Sequence, residues 1–503
     1  MTGWEGKRSD RVSQKLTRSL RFRFQKTLYS DPMPAARFTA PLLLLAVAVA
    51  TLLVHIRSLV SPIILHDDFD LLLKVWTWDD TRNNLWVPMN EHAWPITRLW
   101  TYAMVQAAGS SAGIPLSAAV ANRVLLLVAV GLTYLFVRRE RGHPAPGLAA
   151  AALFGVSAVY QEAVYWFAAG PSVAAAATGL LALLAAQRWR QSGGFVWLIV
   201  AAVWCALAPG WFAGGILAGP FCVLYLIGRG TSSTDRGRWW VWIVPAMGSA
   251  AFLAVNLKMA GERILNAEHF GGKTAVQAFD PIVGAWRTVL SLVDGLALGA
   301  TGAPGVATPV WVAVAPTPVW VAIPVVIALG VGLVWWWRQA TDRRLILLGL
   351  AFVVVSYWLI HSARAGWEYD RLAGWSRYAV YPQLGLALIL GGGWPGGFGT
   401  PFTRRQARAI GMLTAVLFIT QLSRGFCNSP TGLPEQMEAL RQVDRVSERC
   451  RELGVSASDA AAVLPPEDIP GGDKNRWWFL RGSDRPRELT AEERAELRAK
   501  LLR

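Results

Sequence analysis

Residues 114–137 read IPLSAAVANRVLLLVAVGLTYLFV and run directly into Arg138 and Arg139. An α-helix needs about 20 predominantly apolar residues to cross the hydrocarbon core of a bilayer. This stretch is long enough, and it ends in a basic cluster of the kind that marks the cytoplasmic end of a membrane span. The stretch therefore predicts a helical membrane protein.

Similar apolar stretches continue along the chain in both directions. Including residues 114–137, the apolar stretches lie near residues 40–60, 114–137, 146–166, 172–187, 195–209, 211–228, 239–257, 318–337, 345–361, 378–394 and 409–423. Of the 503 residues, 53% are hydrophobic and 16% charged, which excludes a disordered chain. Four cysteines are too few for a secreted module built on disulfides. We predict an all-α polytopic transmembrane protein with about eleven spans.

Basic residues concentrate in every second connection between these stretches. Since positively charged connections stay in the cytoplasm, the N-terminus is predicted inside and the C-terminus outside. The predicted organisation is a cytoplasmic basic segment (1–37), a transmembrane domain (38–423) and an extracytoplasmic helical segment (424–503). We expect an integral protein of a bacterial cytoplasmic membrane.

The net charge of +16 arises from 49 Lys and Arg against 33 Asp and Glu. The excess lies in the predicted cytoplasmic N-terminal segment and connections, so it indicates orientation and a lipid-surface anchor and gives no reason to expect nucleic acid. In residues 12–28, apolar positions recur every four residues between basic ones. This pattern favours an amphipathic helix on anionic membrane lipid over a solvated basic tail.

Two features of the sequence leave alternatives open. Residues 282–302 are apolar but contain Arg287 and Asp294, so we interpret them as a re-entrant or interfacial helix, with a true span as the alternative. Cys427 and Cys450 share the predicted outer C-terminal segment, where either a disulfide or two free thiols is compatible with the sequence.

Carboxylates gather on the predicted outer face. Asp67 and Asp68 follow the first span, and Glu162 is the single acid of an apolar outer turn. Adjacent carboxylates raise one another's pKa, which makes the Asp pair a candidate general base or metal ligand. The alternative for the pair is a solvated loop, and Arg123 is a possible structural partner of Glu162. These three acids suit Mg or Mn if any cation binds, but the sequence requires no cofactor.

Basic and aromatic side chains lie in the other predicted outer loops. The candidates for ligand binding are His92, Lys258, Arg263, Arg364, Arg371, Arg377 and Tyr378. Guanidinium groups suit phosphate, so we expect a phosphate-bearing ligand at the outer membrane surface. For Arg377, the alternative is an interfacial Arg that reaches out from the start of a span. The His residues lack metal-ligand spacing.

Three of these motifs carry a family resemblance. Asp67-Asp68-Phe69, Glu162-Ala163-Val164 before Trp166 and Gly170, and Arg377-Tyr378 before Tyr381-Pro382 occur in this order on one predicted face. The order resembles membrane glycosyltransferases of the GT-C superfamily, and most of all the transmembrane O-mannosyltransferases with tetratricopeptide repeats and their bacterial relatives. The resemblance covers most of residues 40–394.

The chain also departs from that family. Pro171 stands where the family usually has Arg, Trp94 precedes Pro95 where it tends to have Arg, and no tetratricopeptide array follows the last span. The resemblance therefore does not extend to the identity of the sugar or the acceptor.

The resemblance implies an inverting sugar transfer from a polyprenyl-phosphate-linked donor to a protein or glycan acceptor. It implies Asp67 as general base, with Asp68 second, and Glu162 as a residue that orients the acceptor or holds a cation. It also implies that Arg377, Arg371 and Arg364 hold the phosphate, with Lys258 and Arg263 less central.

Other classes of protein remain alternatives. A transporter or flippase for a lipid-linked precursor typically shows repeated halves and charges at mid-membrane depth, whereas here the unusual charges gather at the outer rim. A polymerase or ligase for surface glycan shares the rim arrangement. A third alternative is a sensor with an outer C-terminal domain, and the only feature of the sequence that favours it is the C-terminal segment.

Overall fold

The computed structural model describes most residues between 34 and 228, together with residues 240–265, 279–293, 342–367, 376–394, 418–422 and 489–502, and parts of 324–340 and 441–464. The amphipathic helix expected at residues 12–28 lies outside the described residues, as does Cys427.

The described chain is helical, and its extended pairing is limited to one bridge between Met89 and His92. In chain order the helices are α1 (Pro34–Val54), α2 (Arg57–Val60), α3 (Trp78–Asn84), α4 (Pro95–Ala108), α5 (Ile114–Arg141), α6 (Pro144–Gly155), α7 (Glu162–Tyr165), α8 (Pro171–Ser192), α9 (Val196–Trp211), α10 (Ala218–Gly228), α11 (Trp240–Leu265), α12 (Pro281–Ser291), α13 (Arg343–Ala363), α14 (Val380–Gly393) and α15 (Ala491–Leu502).

Four described helices are long and apolar enough to cross a membrane: Ile114–Arg141, Phe167–Ser192, Trp240–Met259 and Arg343–Ala363. Shorter apolar helices occupy other predicted spans, including Ala40–Val54 and Val196–Trp211. The prediction of an all-helical polytopic membrane protein is confirmed. Most of the predicted spans 318–337 and 409–423 falls outside the described residues, so the count of eleven stays a prediction.

The structure differs from the predicted spans in two places. The connection at 62–113, expected as a loop, contains α3 and α4; α3 begins with a capping box in which Thr77 and Asp80 each bind the other's backbone N–H. The stretch 146–166 is not one helix, because α6 ends at Gly155 and three short helical turns follow. Apolar composition alone does not distinguish a buried irregular turn from a continuing helix.

Small residues and backbone hydrogen bonds join the later helices to the earlier ones. A Cβ on Gly349 of α13 would lie 2.5 Å from the carbonyl oxygen of Gly385 of α14, so these helices pack backbone to backbone. At the C-terminal end of α14, Arg141 of α5 donates to the carbonyl oxygens of Gly392 (3.1 Å) and Trp394 (3.3 Å). Arg141 thereby satisfies carbonyls that a helix end leaves without partners.

Helix α12 falls in the stretch 282–302 and packs on the end of α13. A Cβ on Gly284 would meet Ser362, and Ser291 Oγ lies 2.6 Å from His361 Nε2. Ile282 and Trp286 on the opposite face are 80% and 64% exposed, as expected of a lipid-facing surface. With 11 residues α12 is about 16 Å long, half a bilayer core; residues 294–302 lie outside the described part of the chain.

The C-terminal segment packs on the first connection. We call residues 62–76 the acid segment. Leu501 of α15, Ile64 and Val75 of the acid segment, and Met104 of α4 belong to one buried apolar cluster. Cys450 joins this cluster, and burial raises the pKa of its thiol to about 11, so the thiol is protonated at neutral pH.

In the C-terminal segment, the sequence predicts two helix ends: Gly454 as the stop of a helix near 434–453, and Thr490 and Glu493 as a capping-box pair that starts a charged helix. Thr490 and Glu493 form a capping box at the start of α15, with Thr490 N to Glu493 Oε2 at 2.7 Å. Gly454, predicted to stop the preceding helix, has a left-handed backbone with φ of 64°.

Candidate active site

The chain between α6 and α8 forms a buried, irregular turn, which we call the motif turn (residues 156–170). It consists of the short helices Ala158–Tyr160, Glu162–Tyr165 and Phe167–Ala169, and Ser157 caps the first by accepting from Val159 N. Nearly every side chain in it is buried. Gly170 ends the turn against α5, where a Cβ would lie 2.0 Å from Asn122 Oδ1. Only glycine fits this close approach.

Two adjacent residues of α5 hold the motif turn by its carbonyl oxygens. Asn122 Nδ2 donates to Trp166 O at 3.0 Å and to Val164 O at 3.3 Å. Arg123 Nη1 donates to Val164 O at 2.9 Å, and its Nη2 donates to His55 O at 3.1 Å and to Ser58 Oγ. The possible pairing of Arg123 with Glu162 is therefore wrong, because Arg123 binds uncharged oxygens.

The ion-pair partner of Glu162 is Arg377. Arg377 Nη1 lies 2.8 Å from Glu162 Oε1, and the two side chains are 11% and 2% exposed. The backbone N–H of Arg377 donates to Glu162 Oε2 at 3.0 Å. In return, Glu162 N donates to Ser376 Oγ at 3.0 Å. The second and third sequence motifs therefore meet in one buried, charge-assisted contact.

Aromatic rings flank the guanidinium of Arg377. Its Cζ lies 4.5 Å from the centroid of the Trp166 ring and 5.2 Å from that of Tyr378. A guanidinium stacked on aromatic faces and paired with a carboxylate is fixed in position. The alternative of a freely snorkelling Arg377 does not fit this burial.

The first motif reaches the motif turn through Asp68. Its side chain is fully buried, and Oδ1 accepts from Ala168 N at 2.6 Å. Asp67, the first choice as general base, lies outside the described residues. Asp68 therefore faces the protein interior and accepts a hydrogen bond from a backbone N–H. This contact stabilises the loop that carries its neighbour, Asp67.

The remaining candidates are spread over several elements. His92 pairs with Met89 through two backbone hydrogen bonds, of 2.8 and 3.1 Å. The following residue is tied to α11, since Ala93 N donates to Asn256 Oδ1 at 2.8 Å. Lys258 is exposed on α11, on the side away from buried Asn256. The side chain of Arg263 and all of Arg371 lie outside the described residues.

Arg364 follows the end of α13 and forms a second basic position. Its guanidinium lies 4.9 Å from the centroid of the Trp367 ring, and its carbonyl oxygen accepts from Arg287 Nη1 of α12 at 3.2 Å. Helix α12 therefore positions the loop that carries Arg364.

In the described part of the chain, no group of three or more His, Cys, Asp or Glu side chains could hold a metal ion. Both oxygens of Glu162 already accept hydrogen bonds from Arg377. Of the three acids expected to hold a cation, Glu162 is therefore held in a side-chain ion pair, Asp68 binds Ala168 N, and Asp67 lies outside the described residues.

Sequence reasoning did not assign site roles to Asn122, Trp166 and Ser376. A polar Asn-Arg pair inside an apolar span is a recognisable signal, because such groups are costly in lipid and mark contacts within the bundle. Nothing in the sequence indicates the contact of Ser376 with Glu162, which depends on the tertiary approach of two distant segments.

Together, the fold and the site define an integral membrane protein with a buried ionic centre at one end of its helical bundle. No family model and no curated protein matches the chain. Among solved structures, the apo oligosaccharyltransferase of Archaeoglobus fulgidus is similar, with a TM-score of 0.47 and 13% identity over 91% of this chain and 62% of its own length. The oligosaccharyltransferase AglB of the same organism, in complex with an inhibitory peptide and a dolichol-phosphate, gives a TM-score of 0.44 and 12% identity over 90% of this chain and 61% of its own.

ArnT from Cupriavidus metallidurans bound to undecaprenyl phosphate gives a TM-score of 0.42 and 14% identity over 91% of this chain and 88% of its own. The chain thus spans less than two thirds of the length of the oligosaccharyltransferases. These neighbours are GT-C glycosyltransferases, the superfamily that the sequence motifs resemble. Since the TM-scores lie below 0.5, the proposed activity rests on the motif resemblance together with the contacts of the site.

Proposed function

We propose that the chain transfers a sugar from a polyprenyl-phosphate-linked donor to a hydroxyl of a protein or glycan acceptor, with inversion at the anomeric carbon. The reaction takes place at the extracytoplasmic face of a bacterial cytoplasmic membrane. The supporting observation is the convergence of the three motifs: Glu162 pairs with Arg377, and Asp68 binds the backbone of the same motif turn.

Asp67 is the proposed general base. Its neighbour Asp68 is held inward by Ala168 N, and adjacent side chains usually do not both point into one cleft. Asp67 takes the proton from the acceptor hydroxyl, and the oxygen attacks the anomeric carbon. The bond between that carbon and the phosphate oxygen breaks, and the lipid phosphate leaves with the electron pair. A base within hydrogen-bond reach is the requirement of this step.

The leaving phosphate needs cationic stabilisation. We assign this role to Arg377 with Arg364 and Arg371. Arg377 presents its guanidinium from a fixed place between Trp166 and Tyr378. Because Glu162 pairs with Arg377, we expect Arg364 and Arg371 to add positive charge at the phosphate.

Glu162 keeps an orienting role, which it performs through Arg377. His92 and Tyr378 are proposed contacts of the sugar or the acceptor. Lys258 and Arg263 are more peripheral, since Lys258 is exposed on α11. No step is assigned to Mg or Mn.

Labelled polyprenyl-phosphate sugars and purified protein test the proposal. Wild type should consume the donor and release polyprenyl phosphate in the presence of a peptide or glycan acceptor. Asp67→Asn should lower kcat at least 100-fold, with donor binding retained. The matched control is Asp79→Asn in the same connection, whose carboxylate is 78% exposed, and its activity should equal that of wild type.

Two outcomes would contradict the proposal. Full activity in Asp67→Asn would remove the assigned base. Movement of labelled lipid across vesicle membranes without release of the sugar would favour the transporter. A panel of protein and glycan acceptors separates protein glycosylation from polymerisation or ligation of a surface glycan.

A further inference from the structure

Arg123 is a buried charge inside α5, the longest apolar helix among the described residues, and it is 3% exposed. A charged side chain in a membrane helix is costly and calls for a specific reason. The reaction proposed above makes no use of it.

The hydrogen bonds of Arg123 join three separate pieces of chain. Nη1 donates to Ala119 O within α5 and to Val164 O in the motif turn, both at 2.9 Å. Nη2 donates to His55 O, just after α1, at 3.1 Å and to Ser58 Oγ in α2. Val164 is two residues from Glu162, and the chain at Ser58 leads into the acid segment with Asp67 and Asp68. The guanidinium is therefore a bridge between the junction of α1 and α2 and the motif turn that carries Glu162.

The planar fork of a guanidinium suits this task. Its N–H groups are fixed relative to one another, so the carbonyls that they bind are also fixed. A proton-transfer step depends strongly on the placement of the base relative to the substrate. The ammonium of Lys has one flexible centre and cannot fix two segments in this way.

We propose that Arg123 is a positioning residue: it sets the junction of α1 and α2, from which the chain continues into the acid segment, against the motif turn, and it touches neither donor nor acceptor. The expected effect on kcat rests on the proposed function, whereas the bridge that Arg123 forms can be tested without measuring activity.

The kinetic test compares Arg123→Met and Arg123→Lys with wild type, per mole of folded protein. Arg123→Met should lower kcat at least 10-fold while KM for the donor changes less than threefold. Arg123→Lys should fall between Arg123→Met and wild type. Ser58→Ala removes one acceptor of the bridge and should lower kcat less than Arg123→Met does.

Arg190→Met is the matched control. Arg190 is a partly buried arginine at the opposite end of the bundle, 3.8 Å from Glu140 and 2.8 Å from the hydroxyl of Tyr225. Its loss should reduce the amount of folded protein and leave kcat per folded molecule unchanged. An equal fall of kcat in Arg190→Met and Arg123→Met would show general destabilisation and overturn the proposal.

Amide hydrogen exchange gives a measurement that does not depend on activity. In Arg123→Met, exchange should rise together in peptides covering residues 55–60 and 160–170, and in Arg190→Met it should rise in neither. Unchanged exchange in either peptide, or a uniform rise over the protein, would overturn the bridge. If wild type transfers no sugar, the proposed function fails and exchange alone decides the role of Arg123.

Discussion

Arg377 donates to both carboxylate oxygens of Glu162, with its side-chain Nη1 to Oε1 at 2.8 Å and its backbone N–H to Oε2 at 3.0 Å. The backbone N–H of Glu162 in turn donates to Ser376 Oγ. Since main-chain groups of both segments take part, this contact fixes the course of the backbone as well as the side chains. It defines the geometry on which the proposed chemistry depends.

Removing the charge of Glu162 should destabilise the protein. Glu162→Gln removes the carboxylate charge that pairs with the guanidinium of Arg377, and breaking a buried ion pair costs about 3 kcal/mol. We expect this decrease in the free energy of unfolding, measured by denaturation in detergent micelles. Glu496→Gln is the control, because the pair of Glu496 with Lys500 is exposed and is worth less than about 1 kcal/mol.

A second variant tests whether the ion pair between Glu162 and Arg377 causes this loss of stability. Arg377→Met should compensate part of the cost of Glu162→Gln, giving a coupling energy above about 1 kcal/mol in a double-mutant cycle. Additive effects would show that the two side chains act independently.

The close approach of Gly170 to α5 predicts a position-specific effect. In Gly170→Ala the new Cβ would lie 2.0 Å from Asn122 Oδ1, so the motif turn must shift. We expect a loss of stability of about 1–3 kcal/mol and a lower kcat. Gly131→Ala on the same helix as Asn122 has nothing within 4 Å of its Cβ and should be neutral or stabilising. Equal behaviour of the two variants would contradict the packing at Gly170.

The orientation of the chain can be tested with single cysteines and a membrane-impermeant thiol reagent. Ser110, Ser192 and Ala495 are exposed, whereas Cys205, Cys222 and Cys450 are buried. In intact cells, Ser110→Cys and Ala495→Cys should be labelled, and Ser192→Cys only after permeabilisation. Labelling of Ser110→Cys and Ser192→Cys from the same side would disprove the predicted alternation.

Truncation of the side chain of Leu501 should loosen the acid segment. Leu501 is 3% exposed in the cluster that contains Val75, and Leu→Ala in a buried cluster costs about 2–5 kcal/mol locally. In Leu501→Ala we expect faster amide exchange in residues 71–76. Arg494→Ala on the exposed face of α15 should leave that exchange unchanged. No difference between the two variants would show that α15 does not support the acid segment.

Much of the fold was accessible from the sequence, because the bilayer imposes a simple length and composition rule on spans such as Ile114–Arg141. Local signals also succeeded, as with the Thr490–Glu493 capping box. The same rule mispredicts apolar residues that pack against other helices instead of lipid. Residues 156–166 are largely apolar, but they form a buried irregular turn. Asn122 and Arg123, which are distant from it in the sequence, stabilise this turn.

For the site, the sequence singled out Glu162 and Arg377 separately, and their residue types indicated charge in an apolar context. Their pairing depends on the approach of α14 and the motif turn, which no local pattern encodes. The inward direction of Asp68 was likewise inaccessible, because two adjacent carboxylates look equivalent until the backbone around Ala168 is placed.

The apolar cluster that contains Ile64, Val75 and Leu501 has a consequence for biosynthesis. Met104 of α4 belongs to the same cluster and is synthesised soon after the acid segment, so the acid segment can begin to pack early. Leu501 is synthesised only after all the intervening helices, so this cluster gains its contribution from α15 late in biosynthesis.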